Sequence, residues 1–196
     1  MNINILDLQF FQEMHDRRYH TDVYHLPLMR RVSHLHNHLT KYSATPNRML
    51  SSYSDALACM LSISNALNVD LAKEMSKWSG QNVSTLIDVP LMYRKTQLQN
   101  QLDMCIGKIA KIVEGGDHVE TIDYRGELKE TLIELFIVWS GIRVDIDELS
   151  LREWSIEYVK HIFELKKKSI FFAHIHHDDT MTTPLYRSFY KYSTSL

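Results

Sequence analysis

Apolar residues along this chain recur mostly every three or four positions, in long stretches that glycine and proline seldom interrupt. Leu28, Val32, Leu35 and Leu39 follow Pro27 at helical spacing, which predicts a helix from Pro27 to about Tyr42. "SATP" breaks it, and Thr45 is placed to cap the next helix with Pro46 in its first turn. Leu57, Met60, Leu61, Ile63 and Leu67 carry that helix over about 46–68. A short helix follows, capped by Asp70 and stopped near Gly80. Pro90 opens a helix expected to reach Glu114 and to stop at Gly115-Gly116. "YRGELKETLIELFIVWSG" predicts another over about 124–141. "SLRE" (Ser150 to Glu153) reads as a capping box that opens a helix to about Ala173. The tail beyond it has weak periodicity. With six glycines and four prolines in 196 residues, the pattern predicts an all-α fold.

Composition narrows the function classes. Apolar residues make up 44 % and charged residues 23 %, enough for a sizeable core in one domain spanning 1–196. A formal charge of −2, with "ELKKKS" as the one basic run, gives no nucleic-acid footprint. The longest apolar run, around "IELFIVW", is too short to span a bilayer, so no membrane partner is expected. The first residues lack the basic and apolar regions of a signal peptide. Cys59 and Cys105 lie in apolar helical patterns without metal-type spacing. They read as buried thiols of a reducing compartment, and a cytoplasmic location is expected. No Ser-His-Asp arrangement, phosphate-binding glycine loop or dinucleotide fingerprint is present.

An internal repeat is the main organisational signal. "HLTKYSA" matches "KIAKIVE", with Lys41 on Lys111, an offset of 70. "NALNVDL" (Asn65 to Leu71) matches "SGIRVDI" (Ser140 to Ile146), with Asp70 on Asp145, an offset of 75. "LPLM" (Leu26 to Met29) matches "VPLM" (Val89 to Met92), and Trp78 falls near Trp154. These matches predict pseudo-repeats over about 26–80 and 89–155, followed by a C-terminal helix and tail over 150–196. Two duplicated helical hairpins would then build a four-helix core, with additional helices flanking it.

The segment "ELKETLIELFIVWSGIRVDIDEL" (Glu127 to Leu149) resembles the MazG-like all-α nucleoside triphosphate pyrophosphatases. In that family a helix with Glu-x-x-Asp runs through an apolar stretch into a Gly-Ile-Asp turn. Here Glu127 and Glu130 fall on the Glu-x-x-Asp positions. In the first half the same count gives Ser52 and Asp55. The family's Glu-Glu-x-x-Glu motif falls on Met104, Cys105 and Lys108 in the second half and on His34, Leu35 and His38 in the first. The resemblance covers about residues 26 to 155 and implies a single MazG-like domain with degenerate motifs. It also implies cleavage of a nucleoside triphosphate between its α- and β-phosphates with the help of Mg²⁺. It further implies assembly as dimers or tandem repeats.

These positions set the candidate chemistry. Glu127 and Glu130 are the expected catalytic carboxylates. Together with His34, His38 and Asp55 they are the expected metal ligands. Carboxylates suit Mg²⁺, whereas two histidines at i and i+4 with one carboxylate suit Zn²⁺, Mn²⁺ or Fe²⁺. Lys108 and Lys111 are the expected substrate-binding residues, positioned for phosphate. "HIHHDD" (His174 to Asp179) is read as a helix end where histidine suits the dipole, or as an adventitious metal site. The favoured function is nucleotide binding with an altered or largely lost metal-dependent pyrophosphohydrolase site. An active pyrophosphohydrolase and a non-catalytic helical interaction module are the alternatives. The expected partners are a nucleotide and a second copy of the chain.

Overall fold

The computed structural model describes residues 3–19, 25–44, 50–117, 124–142 and 157–164, together with 187, 188 and 191. The fold is all-α. Its helices are α1 (Ile5–Tyr19), α2 (Leu28–Ala44), α3 (Leu50–Ala66), α4 (Leu71–Ser79), α5 (Lys95–Asp117) and α6 (Tyr124–Gly141), with a 3₁₀ turn at Leu86–Asp88. Residues 157–164 are also helical and are labelled α7. Among the described residues, the extended pairing is confined to an antiparallel bridge between Asn4 and Thr85. No helix among them is long and apolar enough to cross a membrane.

Four helices make the core. α2 packs on α3 and on α5, and α6 packs on the other side of the same two helices. Side-chain pairings give the directions. Arg31 meets Ser62, His38 meets Asp55 and Tyr42 meets Tyr53, so α2 and α3 run antiparallel. Lys108 meets Glu134 while Gly115 abuts Tyr124, so α5 and α6 do the same. Tyr42, Tyr53 and Trp139 meet at the centre. The Tyr53 and Trp139 rings stack at 4.6 Å, and the Tyr42 and Trp139 centroids are 4.8 Å apart. The Tyr53 hydroxyl donates to the Trp139 carbonyl at 2.9 Å, so burying this polar handle leaves it satisfied. From Thr131 to Gly141 α6 is buried almost all round, apart from Glu134. That explains its near-continuous apolar sequence, since a helix hydrophobic on every side belongs inside.

Capping follows the sequence at α4. The Asp70 carboxylate accepts from Lys73 N at 3.0 Å, and Gly80 closes the helix in the left-handed region at φ 69°. Two expectations are corrected. The helix predicted from Pro90 begins at Lys95 instead. Gln97 fixes that start by reaching back to the Arg94 N–H at 3.1 Å, half of a capping box. Nor does the helix stop at Gly115-Gly116; it runs through both to Asp117. These glycines serve close packing. A Cβ on Gly115 would lie 2.5 Å from the Tyr124 ring, and one on Gly116 would lie 2.7 Å from the Met29 side chain.

α1 has no counterpart in the predicted elements. Asn4 Oδ1 caps it by accepting from Leu6 N at 2.8 Å. Its buried face mixes Ile5, Leu8 and Phe11 with Gln9, Gln12, His15 and Asp16. Gln9 clasps the α3–α4 turn: its amide donates to Val69 O at 2.7 Å and its oxygen accepts from Leu71 N at 3.0 Å. The Tyr158 hydroxyl of α7 donates to Gln12 Oε1. The Thr45–Pro46 cap, the Ser150–Glu153 capping box, Asp145, Trp154 and the His174–Asp179 segment lie outside the described residues.

Candidate functional site

Helical spacing turns the candidate residues into two groups, one on each hairpin. On the first hairpin, His34 and His38 stand one turn apart on α2, and their Nε2 atoms approach to 3.0 Å. Across the hairpin, His38 Nδ1 lies 3.6 Å from Asp55 Oδ2, beyond hydrogen-bond reach. His38 Nδ1 is buried without a hydrogen-bond partner among the described residues. Asp55 Oδ1 lies 2.6 Å from His161 Nε2 of α7. One turn beyond Asp55 stands Cys59, whose sulfur and one ring nitrogen each of His34 and His38 all lie within 4.8 Å of one another. Burial holds the His38 imidazole below its ordinary pKa, against the pull of Asp55. Burial and the nearby Asp55 and Asp16 carboxylates push the Cys59 thiol far up, so it stays protonated as it stands.

On the second hairpin, α5 and α6 border a groove of about 710 Å³. Lys108 and Lys111 line it from α5, Glu127, Glu130, Thr131 and Glu134 from α6, and Trp78 from the end of α4. Glu74 ties α4 to α6 by accepting from Lys129 at 3.1 Å, which helps hold Trp78, 47 % exposed, at the rim. Lys108 Nζ lies 2.6 Å from Glu134 Oε2, and the Tyr93 hydroxyl lies 3.3 Å from Glu134 Oε1. The hydrogen bond that Lys108 donates to Glu134 raises the Lys108 pKa, so the ammonium is held charged. Burial, with Glu134 beside it, pushes Tyr93 up to about 12. Glu127 and Glu130 are exposed in the groove and make no ion pair among the described residues.

His34, His38 and Asp55 are therefore brought together, and Glu127, Glu130, Lys108 and Lys111 share a groove. Among the described residues, no histidine and neither Asp55 nor Cys59 lines that groove. The expected five ligands divide between two places. Cys59, His161 and Trp78 join the sites without having been singled out for them. Cys59 had a usable signal: it stands four residues after Asp55, as His38 stands four after His34. His161 had none, because only tertiary packing brings α7 to α3.

The Mg²⁺ that the family resemblance implies does not fit either donor set. Mg²⁺ takes oxygen ligands in octahedral geometry. The first hairpin offers imidazole and thiol beside a single carboxylate, Asp55. In the second, an ammonium stands on one of three glutamates. No family model, curated protein or solved structure matches the chain.

Proposed function

We propose that the chain is a MazG-like nucleotide-binding protein whose metal-dependent pyrophosphohydrolase chemistry is altered or largely lost. The observation that carries this reading is the 2.6 Å contact of Lys108 with Glu134 inside the groove. At that position the resembled family has a carboxylate that helps hold Mg²⁺. A lysine there replaces the ion's charge with a fixed ammonium. With Lys111 nearby, the α5 wall presents cations suited to phosphate, and exposed Trp78 offers a ring on which a base can stack.

The duplicated hairpin belongs to the same proposal. At offsets of 70 on the first helix and 75 on the second, Lys108 corresponds to His38 and Glu134 to Cys59. Each hairpin thus carries counterpart polar residues facing one another across its two helices, which supports descent from one unit.

The alternative of an active pyrophosphohydrolase draws support from Glu127 and Glu130, whose carboxylates have no ion pair among the described residues. Binding is tested by titrating nucleoside triphosphates in a chelator while following Trp78 fluorescence, with Trp78→Phe to identify the signal. Binding without metal, weakened by Lys111→Glu, is the expected result. No binding of any triphosphate, with or without Mg²⁺, overturns the reading.

A further inference from the structure

We infer that His34, His38 and Cys59 form a binding site for a transition-metal ion of the zinc class, with Asp55 as the outer acceptor that orients His38. Three features converge. The first is proximity: the three ligand atoms lie within 4.8 Å of one another, and the two Nε2 atoms are 3.0 Å apart. With zinc–nitrogen bonds of about 2.0–2.1 Å, a tetrahedral ion holds two nitrogens roughly 3.3–3.4 Å apart. Side-chain rotation on α2 and α3 would bring the set to that geometry.

The second feature is the unsatisfied back of His38. Its Nδ1 is buried and lacks a hydrogen-bond partner among the described residues, yet it faces Asp55 Oδ2 at 3.6 Å. When Nε2 binds a metal, the ring proton must sit on Nδ1. That N–H then has an acceptor waiting for it, the carboxylate–histidine–metal arrangement common at zinc sites. Asp55 is itself fixed from behind by His161 at 2.6 Å. The carboxylate expected from sequence to ligate the ion is thereby given an orienting role.

The third feature is the donor chemistry. Two imidazoles and a thiolate select Zn²⁺ or another soft to borderline ion over Mg²⁺ or Ca²⁺. As the sulfur–metal bond forms, the Cys59 thiol releases its proton to solvent, and no oxidant or reductant is involved. His34 is exposed, so a fourth position is open to water. The site stands on the first hairpin, and its existence does not depend on nucleotide binding in the groove of the second.

Co²⁺ is the probe, titrated into the full chain as a spectroscopic stand-in for Zn²⁺. The native chain should give tetrahedral visible bands and a thiolate-to-metal charge-transfer band in the near ultraviolet, both abolished by competing Zn²⁺. Cys59→Ser should lose the charge-transfer band, while Cys105→Ser should keep it. His34→Ala changes an exposed residue, so the fold should survive while tight binding is lost. Asp55→Asn should weaken binding about 10- to 100-fold. Three results would overturn the assignment: no charge-transfer band in the native chain, a band that survives Cys59→Ser, or undiminished affinity in His34→Ala. The last would seat the ion elsewhere, with the 174–179 histidines the next place to test.

Discussion

His161 Nε2 lies 2.6 Å from Asp55 Oδ1, joining side chains 106 residues apart in the chain. The contact docks α7 on α3 at the point where His38 approaches from α2. A hydrogen bond to a charged group contributes about 1.5–3 kcal/mol, and both side chains here are mostly shielded from water. His161→Ala should lower unfolding stability by roughly that amount. Asp55→Ala should cost at least as much, because it leaves the mostly shielded His161 Nε2 without its partner. Urea unfolding of the two variants measures this, and equal stability of native chain and Asp55→Ala would deny the carboxylate its central place.

Stability should fall as pH rises from about 4 to 6, through Asp16. Burial raises its pKa from 3.8 to about 6, against hydrogen bonds from Ser62 and Gln12 and the nearby Arg31 charge. The folded state therefore holds the proton more tightly than the unfolded chain. The stabilisation is complete below the unfolded value of 3.8 and is lost as pH climbs through the folded value of about 6. A rise from 3.8 to about 6 corresponds to on the order of 3 kcal/mol. Asp16→Asn keeps an oxygen for the Gln12 amide, 2.7 Å away. It should be more stable than the native chain at pH 7 and close to it at pH 4. Thermal unfolding of both proteins at the two pH values reads the difference, and parallel curves would contradict it.

Two glycines of α5 should respond to alanine with opposite signs. A Cβ on Gly107 meets nothing within 4 Å, so Gly107→Ala should stabilise by about 0.5–1 kcal/mol through backbone entropy. A Cβ on Gly115 meets the Tyr124 ring at 2.5–2.8 Å, so Gly115→Ala should destabilise by about 1–3 kcal/mol. Denaturant midpoints for the pair check this directly. Stabilisation by both would mean that α5 and α6 do not approach as described.

Much of the core was legible because its helices bury plain apolar stripes. Val32, Leu35 and Leu39 on α2, and Leu57, Met60, Leu61 and Ile63 on α3, are buried as their spacing predicts. α1 was not legible because Gln9, Gln12, His15 and Asp16 occupy its inner face, with Gln9 bonded to the α3–α4 turn and Gln12 to Tyr158 of α7. The Gly115-Gly116 pair read as a stop because glycine's freedom is visible in a sequence, whereas the approach of Tyr124 and Met29 is not. For the sites, the i, i+4 histidines and the Glu127–Glu130 pair were readable along single helices. Their division between two hairpins depends on which helices neighbour one another, as does the arrival of His161.

Pyrophosphate release from nucleoside triphosphates in the presence of Mg²⁺ tests the central claim most directly. With Lys108 on Glu134 and no full carboxylate set among the described residues, the native chain should release little or none. Any residual activity should prefer Mn²⁺ and disappear in Glu130→Gln. Vigorous Mg²⁺-dependent turnover that survives Glu130→Gln would contradict both the loss of catalysis and the placement of the site.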